Sequence, residues 1–460
     1  MLSARGWCLV AALLVSEMNP ILGQSQDVEV LERVQELENV ILKLQARVVG
    51  LEKRLEISEL ESSDRCGNGD VSPVPQEHTT LNQRSSLRWY WDEGLQAESP
   101  NQNFRFEIGG RLMNDWAFMG EDREIRNLFG NLQDGTEFRS SRFGVEGTIY
   151  DRVEFSTEYD FSGGQANFKD VYLGVKDMPI LGSFRFGHFK EPFSLEENTS
   201  GRFTTFMERS LGNTFVPGRQ TGMMVHDELM EQRLTWAVGL FRGGDSFGNS
   251  NRDGEYNMTM RVTGLPIYAD QGAKLLHLGF AYSRRNPESG FMRIAQRPEV
   301  NLAPEFVDTG ILRADSANLF GLEGAWLRGP ALLQVEFIHN AVDPTHGGSA
   351  DFSSWYVQGS YFLTGESQSY ELEDAAFDRV RPRRNLFDNR GGLGAWQLAA
   401  RYSHLDLNDV GVSGGEMSNL TLGLNWYLNP NTRLMWNHVS SELQSVGEAN
   451  MLQMRFQVDF

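Results

Sequence analysis

The stretch Val153-Glu154-Phe155-Ser156-Thr157-Glu158-Tyr159-Asp160-Phe161 alternates without a break between apolar or β-branched residues and polar or charged ones. Successive side chains of a β-strand point to opposite faces of the sheet, so this period of two predicts a strand with one apolar and one polar face. A helix would need apolar residues three and four positions apart. Residues 153–161 therefore predict a two-faced strand.

The same alternation returns along most of the chain. It recurs at residues 104–108, 234–240, 256–262, 276–282, 333–337, 355–361, 396–402, 420–426 and 452–460. About sixteen such segments of roughly 10 residues, separated by turns, are typical of a transmembrane β-barrel. A soluble β-sandwich also alternates, but its strands are commonly shorter, and no domain boundary divides residues 104–460. The sequence predicts an all-β fold, a transmembrane antiparallel barrel of about 16 strands over residues 101–460.

The amino-acid composition limits the kinds of partner that this protein can bind. The 460 residues carry a formal net charge of −20, which argues against nucleic acid as a partner because phosphate neutralisation needs a basic surface. A few arginines inside a narrow lumen can still attract anions locally. Among lysines, the chain after residue 66 has Lys169, Lys176, Lys190 and Lys274 alone.

One short motif carries a family resemblance. Residues 185–196, RFGHFKEPFSLE, follow the pattern GxFKxPFSxE. The blocks 361–366 (YFLTGE), 394–407 (GAWQLAARYSHLDL) and 423–429 (GLNWYLN) follow in order, and the chain ends on the alternating strand RFQVDF at 455–460. Together these blocks resemble the phosphate-selective porin O and P family. The last strand is similar to the one by which outer-membrane barrels are recognised for assembly.

The resemblance implies a trimeric, sixteen-stranded channel in the outer membrane of a Gram-negative-type bacterium. It implies passage of small anions, with phosphate or polyphosphate favoured, through a lumen with an arginine ladder and a constriction formed by an infolded loop. The lumen-facing parity of the strands assigns a set of arginines to the interior. These are Arg105, Arg142, Arg152, Arg185, Arg261, Arg401, Arg433 and Arg455. Alternatively they brace the wall by pairing with carboxylates of the same parity, Glu107, Glu146, Glu154 and Glu158.

The constriction loop has its own prediction. Residues 191–219 lack strand alternation, and a loop of this length in a compact fold is functional or disordered. By position it is the candidate constriction loop, so the predicted anion-binding residues are Lys190, Arg185, Arg202, Arg209 and Arg219. A general, non-selective porin is the alternative, because acidic residues are many and barrel lysines are few.

The amino-terminal region is predicted separately. Arg5 ahead of an apolar run and a small residue, Gly23, predict a signal peptide at 1–23. Apolar residues spaced alternately four and three apart from Val30 to Leu55 predict an α-helical coiled coil at 27–60, placed in the periplasm. β-Branched residues at heptad position a favour two strands, whereas the family resemblance implies a homotrimer, which we expect. Residues 61–100 are rich in glycine, serine and proline and predict a flexible linker.

Other functions are less well supported. The eight histidines lack metal-ligand spacing and no GxSxG motif is present, so the sequence predicts neither an enzyme, a cofactor nor a metal site. The coil leaves one further reading open, a barrel-anchored structural protein that contacts the cell wall. Outer-membrane lipid and small anions remain the expected partners.

Overall fold

The computed structural model describes residues 87–92, 94–250, 256–287, 290–344 and 349–460. These residues form 23 strands, numbered in chain order. Strands β1 (Arg88–Trp91) and β2 (Leu95–Glu98) form a hairpin that precedes the barrel. The barrel strands are β3 (Phe104–Glu121), β4 (Gly135–Ile149), β5 (Val153–Asp160), β6 (Asn167–Met178), β7 (Gly182–Lys190), β8 (Arg219–Leu229), β9 (Leu234–Arg242), β10 (Tyr256–Ala269), β11 (Lys274–Arg285), β15 (Leu312–Arg328), β16 (Ala331–Pro344), β17 (Ala350–Phe362), β20 (Ala395–Asp409), β21 (Val412–Asn429), β22 (Thr432–Leu443) and β23 (Gly447–Asp459).

Short elements lie in the connections. They are strands β12 (Phe291–Met292), β13 (Ala295–Gln296), β14 (Val307–Asp308), β18 (Ser369–Glu371) and β19 (Ala376–Asp378), helices α1 (Arg123–Phe129) and α2 (Leu195–Asn198), and the 3₁₀ turns Leu211–Thr214 and Asp270–Gly272. No helix in the described ranges is long and apolar enough to cross a membrane.

The sheet closes on itself. Each barrel strand pairs antiparallel with the next one, and β23 pairs with β3 from Ala449 opposite Glu121 to Asp459 opposite Arg111. The backbone of Phe460 exchanges two further hydrogen bonds with Gly110, at 2.7 and 3.0 Å. A closed sheet leaves no unpaired edge, which is the condition for a β-structure to span a bilayer. The sixteen strands among the described residues confirm the predicted barrel.

The two faces of the wall follow the predicted period. In β23 the side chains of Leu452 and Phe456 are each 46% exposed on the outer surface, whereas those of Gln453 and Arg455 are 2% exposed inside. The same alternation is found in β16 and β20. The apolar outer face suits lipid, and the polar inner face lines the lumen.

The flexible linker predicted at residues 61–100 overlaps two strands of the described structure. Within it, β1 and β2 form a hairpin, and β2 pairs with β3 from Leu95 opposite Ile108 to Glu98 opposite Arg105. The composition of this stretch gave no sign of the pairing, because its stability comes from hydrogen bonds to the edge of β3 that β23 leaves uncovered. The predicted signal peptide at 1–23 and coil at 27–60 lie outside the described residues.

The barrel has a turn end and a loop end. Phe104 and Phe460 lie at the turn end, where short turns at 150–152, 179–181, 230–233, 329–330 and 430–431 join the strands. One long connection at this end, residues 363–394, folds inward, and Arg261 donates to the carbonyls of Asp374 and Ala375. At the loop end the long connections are 122–134, 191–218, 243–255 and 286–311.

Candidate functional site

The segment 191–218 runs inside the barrel. Phe193, Leu195, Phe206 and Leu211 are at most 1% exposed, although they belong to a connection between two strands. Ser194 begins helix α2 with a positive φ of 69° and accepts a hydrogen bond from the N–H of Glu197. A connection that buries four large apolar side chains is packed against the inner wall. We call residues 191–218 the inner loop.

Three predicted lumen arginines hold the inner loop against one side of the barrel. Each lies in β20, β22 or β23, is at most 3% exposed, and donates to a loop carbonyl. Arg401 donates to Glu208 O at 2.9 Å, Arg433 to Thr204 O at 2.8 Å, and Arg455 to Met207 O at 2.6 Å. These guanidinium groups anchor the inner loop and do not line an open passage.

Two of these arginines also pair with buried carboxylates, whereas Arg433 donates to the side-chain oxygen of Gln457 at 3.1 Å. Arg401 contacts Glu196 of the inner loop at 3.0 Å and Glu299 of the 286–311 connection at 2.6 Å. Arg455 donates to both oxygens of Asp115, at 2.7 and 2.6 Å. Buried charges are tolerated when they are paired and hydrogen-bonded. Arg401 and Arg455 therefore brace the inner loop, but their partners are not the same-parity glutamates Glu107, Glu146, Glu154 and Glu158.

Glu208 is the central carboxylate of the inner loop. It accepts from Arg139 at 2.8 and 3.0 Å and pairs with Arg455 at 3.0 Å. Burial works to raise its pKa, but the guanidinium groups of Arg139 and Arg455 outweigh burial and hold the pKa at about 2. Glu208 is therefore ionised at neutral pH and links β4, β23 and the inner loop.

Arg142 and Arg261 pair with carboxylates that lie on strands of the barrel wall. Arg142 pairs with Glu158 at 2.9 Å and Asp160 at 2.8 Å. Arg261 pairs with the buried Glu323 at 2.8 Å. These partners are again carboxylates of the inner face.

Two of the predicted lumen arginines lie at the turn end. Arg105 is half exposed and pairs with Asp151 at 2.6 Å. Arg152 was predicted to face the lumen, but it lies in the turn between β4 and β5 and donates to Asp177 O at 3.4 Å. The strand alternation ends before Arg152, so the period-two argument does not apply to it.

Three cavities of about 260, 530 and 90 Å³ lie on the opposite side of the inner loop and share lining residues. They are bounded by strands β2–β10, the inner loop and the tip of the 363–394 connection, and together we call them the passage. Glu146 lines all three of them, and no other described residue does. We call the 260 Å³ and 90 Å³ spaces the central cavity and the upper cavity, and the 530 Å³ space at the turn end the vestibule.

Four of the five predicted anion-binding residues line the central cavity. These are Arg185, Lys190, Arg202 and Arg219. The fifth, Arg209, instead donates to the loop carbonyls of Glu196, Glu197 and Thr199 at 3.1–3.2 Å. Arg209 therefore stabilises the fold of the inner loop.

Most of the cavity cations have a carboxylate partner. Arg219 donates to both oxygens of Asp170, to Oδ1 at 3.1 Å and to Oδ2 at 2.6 Å. Arg185 pairs with Glu154 at 3.1 Å and stacks 4.2 Å above the ring of Tyr172. Lys190 donates to Glu197 O and lies 3.8 Å from the Glu197 carboxylate.

Arg202 differs from these three. Its Nε donates to the hydroxyl of Ser200 at 3.4 Å, and within the described ranges it forms no ion pair. It lines both the central and the upper cavity. Its guanidinium group thus keeps donors that a solute can use.

Sequence reasoning did not select Arg111. It lies in β3 with the inward parity of Arg105 and lines the upper cavity with Arg202 and Arg219. Its Nε is buried without a hydrogen-bond partner in the described structure, and its Nη2 lies 3.7 Å from Glu158. Extending the alternation of residues 104–108 by three positions finds Arg111.

Carboxylates outnumber cations in the vestibule. Its acidic residues are Glu107, Glu146, Asp151, Glu154, Glu371, Glu373 and Asp374, and its basic residues are Arg105, Lys176 and Arg185. All three cations form ion pairs, Lys176 with Glu373 at 2.6 Å. The charge along the passage therefore changes from mixed in the central cavity to acidic at the turn end.

Two known proteins are similar to this chain in sequence. Porin O of Pseudomonas aeruginosa is 26% identical over 402 residues, covering 78% of this chain and 87% of Porin O. An uncharacterized protein of Caulobacter vibrioides is 28% identical over 444 residues, covering 91% of this chain and 87% of that protein.

Two solved structures are similar in outline. An anion-selective porin from Comamonas acidovorans has a TM-score of 0.49 at 14% identity, covering 78% of this chain and all of that chain. OmpT of Vibrio cholerae with loop L8 deleted has the same score, identity and coverage. The family model of phosphate-selective porin O and P matches residues 105–460, more than half of the chain. The chain therefore belongs to the phosphate-selective porin O and P family.

Proposed function

We propose that this outer-membrane porin is a passive diffusion channel for small anions and that phosphate is the favoured solute. The observation that carries the proposal is Arg202, a cation without an ion pair in the described structure that lines two adjacent cavities between the inner loop and the wall. Short turns mark the periplasmic end of outer-membrane barrels, so the vestibule faces the periplasm.

The chemistry of Arg202 supports phosphate. A guanidinium group presents planar donors that match two oxygens of one phosphate, and the low-dielectric walls of a narrow pore strengthen this attraction. Arg111, Arg219 and Lys190 lie around the same space and raise the local positive potential, although carboxylates neutralise part of it. Polyphosphate shares this chemistry and competes for the same donors.

The test is single-channel recording in a planar bilayer with a titration of phosphate against a chloride current. We expect saturable block by phosphate. Arg202→Gln should weaken the block about tenfold or more, because a hydrogen bond to a charged group contributes roughly 1.5–3 kcal/mol. Arg105→Gln is the matched control, since Arg105 is half exposed and pairs with Asp151 at the turn end. Equal block in both variants and in the unaltered protein would contradict the proposal.

Lys190 is a poorer probe than Arg202. Its ammonium group donates to Glu197 O and lies near the carbonyls of Asn198 and Thr199, so it also holds the start of the inner loop. A Lys190→Glu variant would weaken phosphate block and disturb the loop together. Among the described residues, Arg202 is hydrogen-bonded to the wall through its backbone carbonyl, which accepts from Gln457 at 2.9 Å, while its guanidinium group lies near the carboxylates of Glu107 and Glu146.

A general porin is the second candidate. The observation that favours it is the ion pairing of Arg185, Lys190 and Arg219, which leaves little free positive charge, together with the acidic vestibule. A general porin would conduct chloride and potassium with little preference and would show no saturable phosphate block. The same bilayer recording distinguishes the two.

Assembly and the amino-terminal coil are further proposals. We propose a homotrimer in which residues 27–60 form a periplasmic coiled coil. Crosslinking that gives trimers supports it, and crosslinking that stops at dimers contradicts it. If deletion of 27–60 changes envelope integrity while conductance stays the same, the coil acts as a cell-wall contact, the alternative function.

A further inference from the structure

Charged side chains oppose each other in register on the wall formed by β3 and β4. Arg111 lies opposite Arg142, Gly109 opposite Gly144, and Glu107 opposite Glu146. Alternate residues of a strand share one face, so all three pairs belong to the lumen face. The arginine pair and the glutamate pair are four residues apart, which is about 13 Å along a strand. We call the second pair the glutamate rung.

The arginine pair is largely neutralised. Arg142 pairs with Glu158 and Asp160, and the Arg111 guanidinium lies 3.7 Å from Glu158. Arg111 is also buried, at 5% exposed. Glu158 and Asp160 therefore offset part of this positive charge.

The glutamate rung has no direct ion-pair partner among the described residues, although the guanidinium group of Arg202 lies near enough to attract both carboxylates. Glu107 accepts a hydrogen bond from the neutral amide of Gln96 at 3.2 Å, and neither glutamate forms an ion pair within the part of the chain that the structure describes. Glu146 is exposed to the lumen. Like charges directly opposite each other on neighbouring strands are destabilising, so packing stability does not explain why two glutamates stand here.

The glutamate rung lies between the cavities that Arg202 lines and the vestibule. Glu146 lines the central cavity, the upper cavity and the vestibule, and Glu107 lines the upper cavity and the vestibule. An anion that leaves Arg202 toward the turn end passes these carboxylates before it reaches the vestibule. There Asp374 and Glu371, which form no described ion pair, continue the acidic surface.

We propose that the glutamate rung is the specificity-determining element of this pore and that it limits its preference for anions. The inference rests on the proposed function of a conducting channel and concerns its charge selectivity. Arg202 attracts anions into the central cavity, and Glu107 and Glu146 oppose their exit toward the vestibule. The pore therefore passes anions with a weaker preference than its family name indicates, and neutralising the rung strengthens that preference.

The experiment measures the zero-current potential of the purified full-length protein in a planar bilayer under a potassium chloride gradient. Glu146→Gln keeps the shape of the side chain and removes its charge. We expect the chloride-to-potassium permeability ratio to rise about threefold, the effect of one unit charge at pore-lining distance in a largely aqueous medium. The double variant with Glu107→Gln should raise it roughly tenfold.

Glu231→Gln is the matched control, because Glu231 is exposed in the turn between β8 and β9 and lines none of the three cavities. An unchanged permeability ratio in Glu146→Gln and in the double variant would overturn the role of the rung. Absence of conductance in the unaltered protein would refute the proposed function instead. Because both substitutions remove a repulsion, they should leave folding intact, and the conducting channel itself reports this.

Discussion

Removing Arg401 is expected to release the inner loop. The guanidinium group is 2% exposed and contacts Glu196 at 3.0 Å, Glu299 at 2.6 Å and the carbonyl of Glu208 at 2.9 Å. Its plane also lies 4.5 Å from the ring of Phe206. Arg401→Met keeps most of the length of the side chain but removes the positive partner of two carboxylates, which retain donors from Ser210, Ser403 and Thr421.

The expected loss of stability follows from these contacts. Breaking a buried ion pair by removing one partner costs about 3–5 kcal/mol, since the remaining charge stays in a low-dielectric site. The sixteen strands do not depend on Arg401 for their backbone hydrogen bonds, so the barrel should still form. We expect the free energy of unfolding to fall by about 3–5 kcal/mol and the single-channel conductance to rise as the loop leaves the wall.

The assay is urea unfolding of the protein in lipid vesicles, followed by tryptophan fluorescence, beside conductance in a planar bilayer. Arg105→Met is the control, because its half-exposed ion pair with Asp151 contributes about 1 kcal/mol or less. If Arg401→Met unfolds at the same urea concentration as Arg105→Met and conducts like the unaltered protein, Arg401 does not anchor the loop. A double-mutant cycle with Glu299→Gln then isolates the pair.

Two further predictions concern pH and the lipid face. Burial raises the pKa of Glu208, but Arg139 and Arg455 together lower it further, to about 2. At a pH above the ordinary pKa of a glutamate, this difference contributes about 3 kcal/mol to the free energy of unfolding. This stability is lost as the pH falls from about 4.5 through about 2. Urea unfolding at a series of pH values measures the loss, which should be smaller in Glu208→Gln. On the outer face, Leu452→Arg should destabilise the barrel in vesicles by about 2–4 kcal/mol, because Leu452 faces the bilayer. Val410→Arg, in an exposed loop-end turn, should have no measurable effect.

The barrel was predictable because one rule governs each strand. A shift of one residue in strand register would turn every apolar side chain of a strand into the lumen. The alternation at 452–460 or 153–161 therefore specifies strongly which face points outward. The hairpin β1–β2 was missed for the opposite reason. Trp89 and Trp91 are exposed, and the hairpin depends on the edge of β3 and not on a pattern of its own.

The sequence does not indicate which carboxylates pair with the wall arginines. Arg401 meets Glu196 and Glu299, which are 205 and 102 positions away and come from two different connections. Alternation gives the face of a strand but not the path of a loop inside the barrel. The same limit explains why Glu299 was not selected: it has no local pattern, and its role arises from Arg401 and Thr421 across the lumen.

The inner loop is held from several sides of the barrel, and this bears on how such a channel can diverge. Arginines of β20, β22 and β23 bind its carbonyls, whereas Arg139 of β4 pairs with Glu208 and Arg285 of β11 pairs with Glu191. Substitution of any of these residues would loosen the loop, so change is tolerated best at cavity-lining positions that form no described hydrogen bond with it. Glu107 and Glu146 are such positions, and for an engineer they are the ones to randomise first.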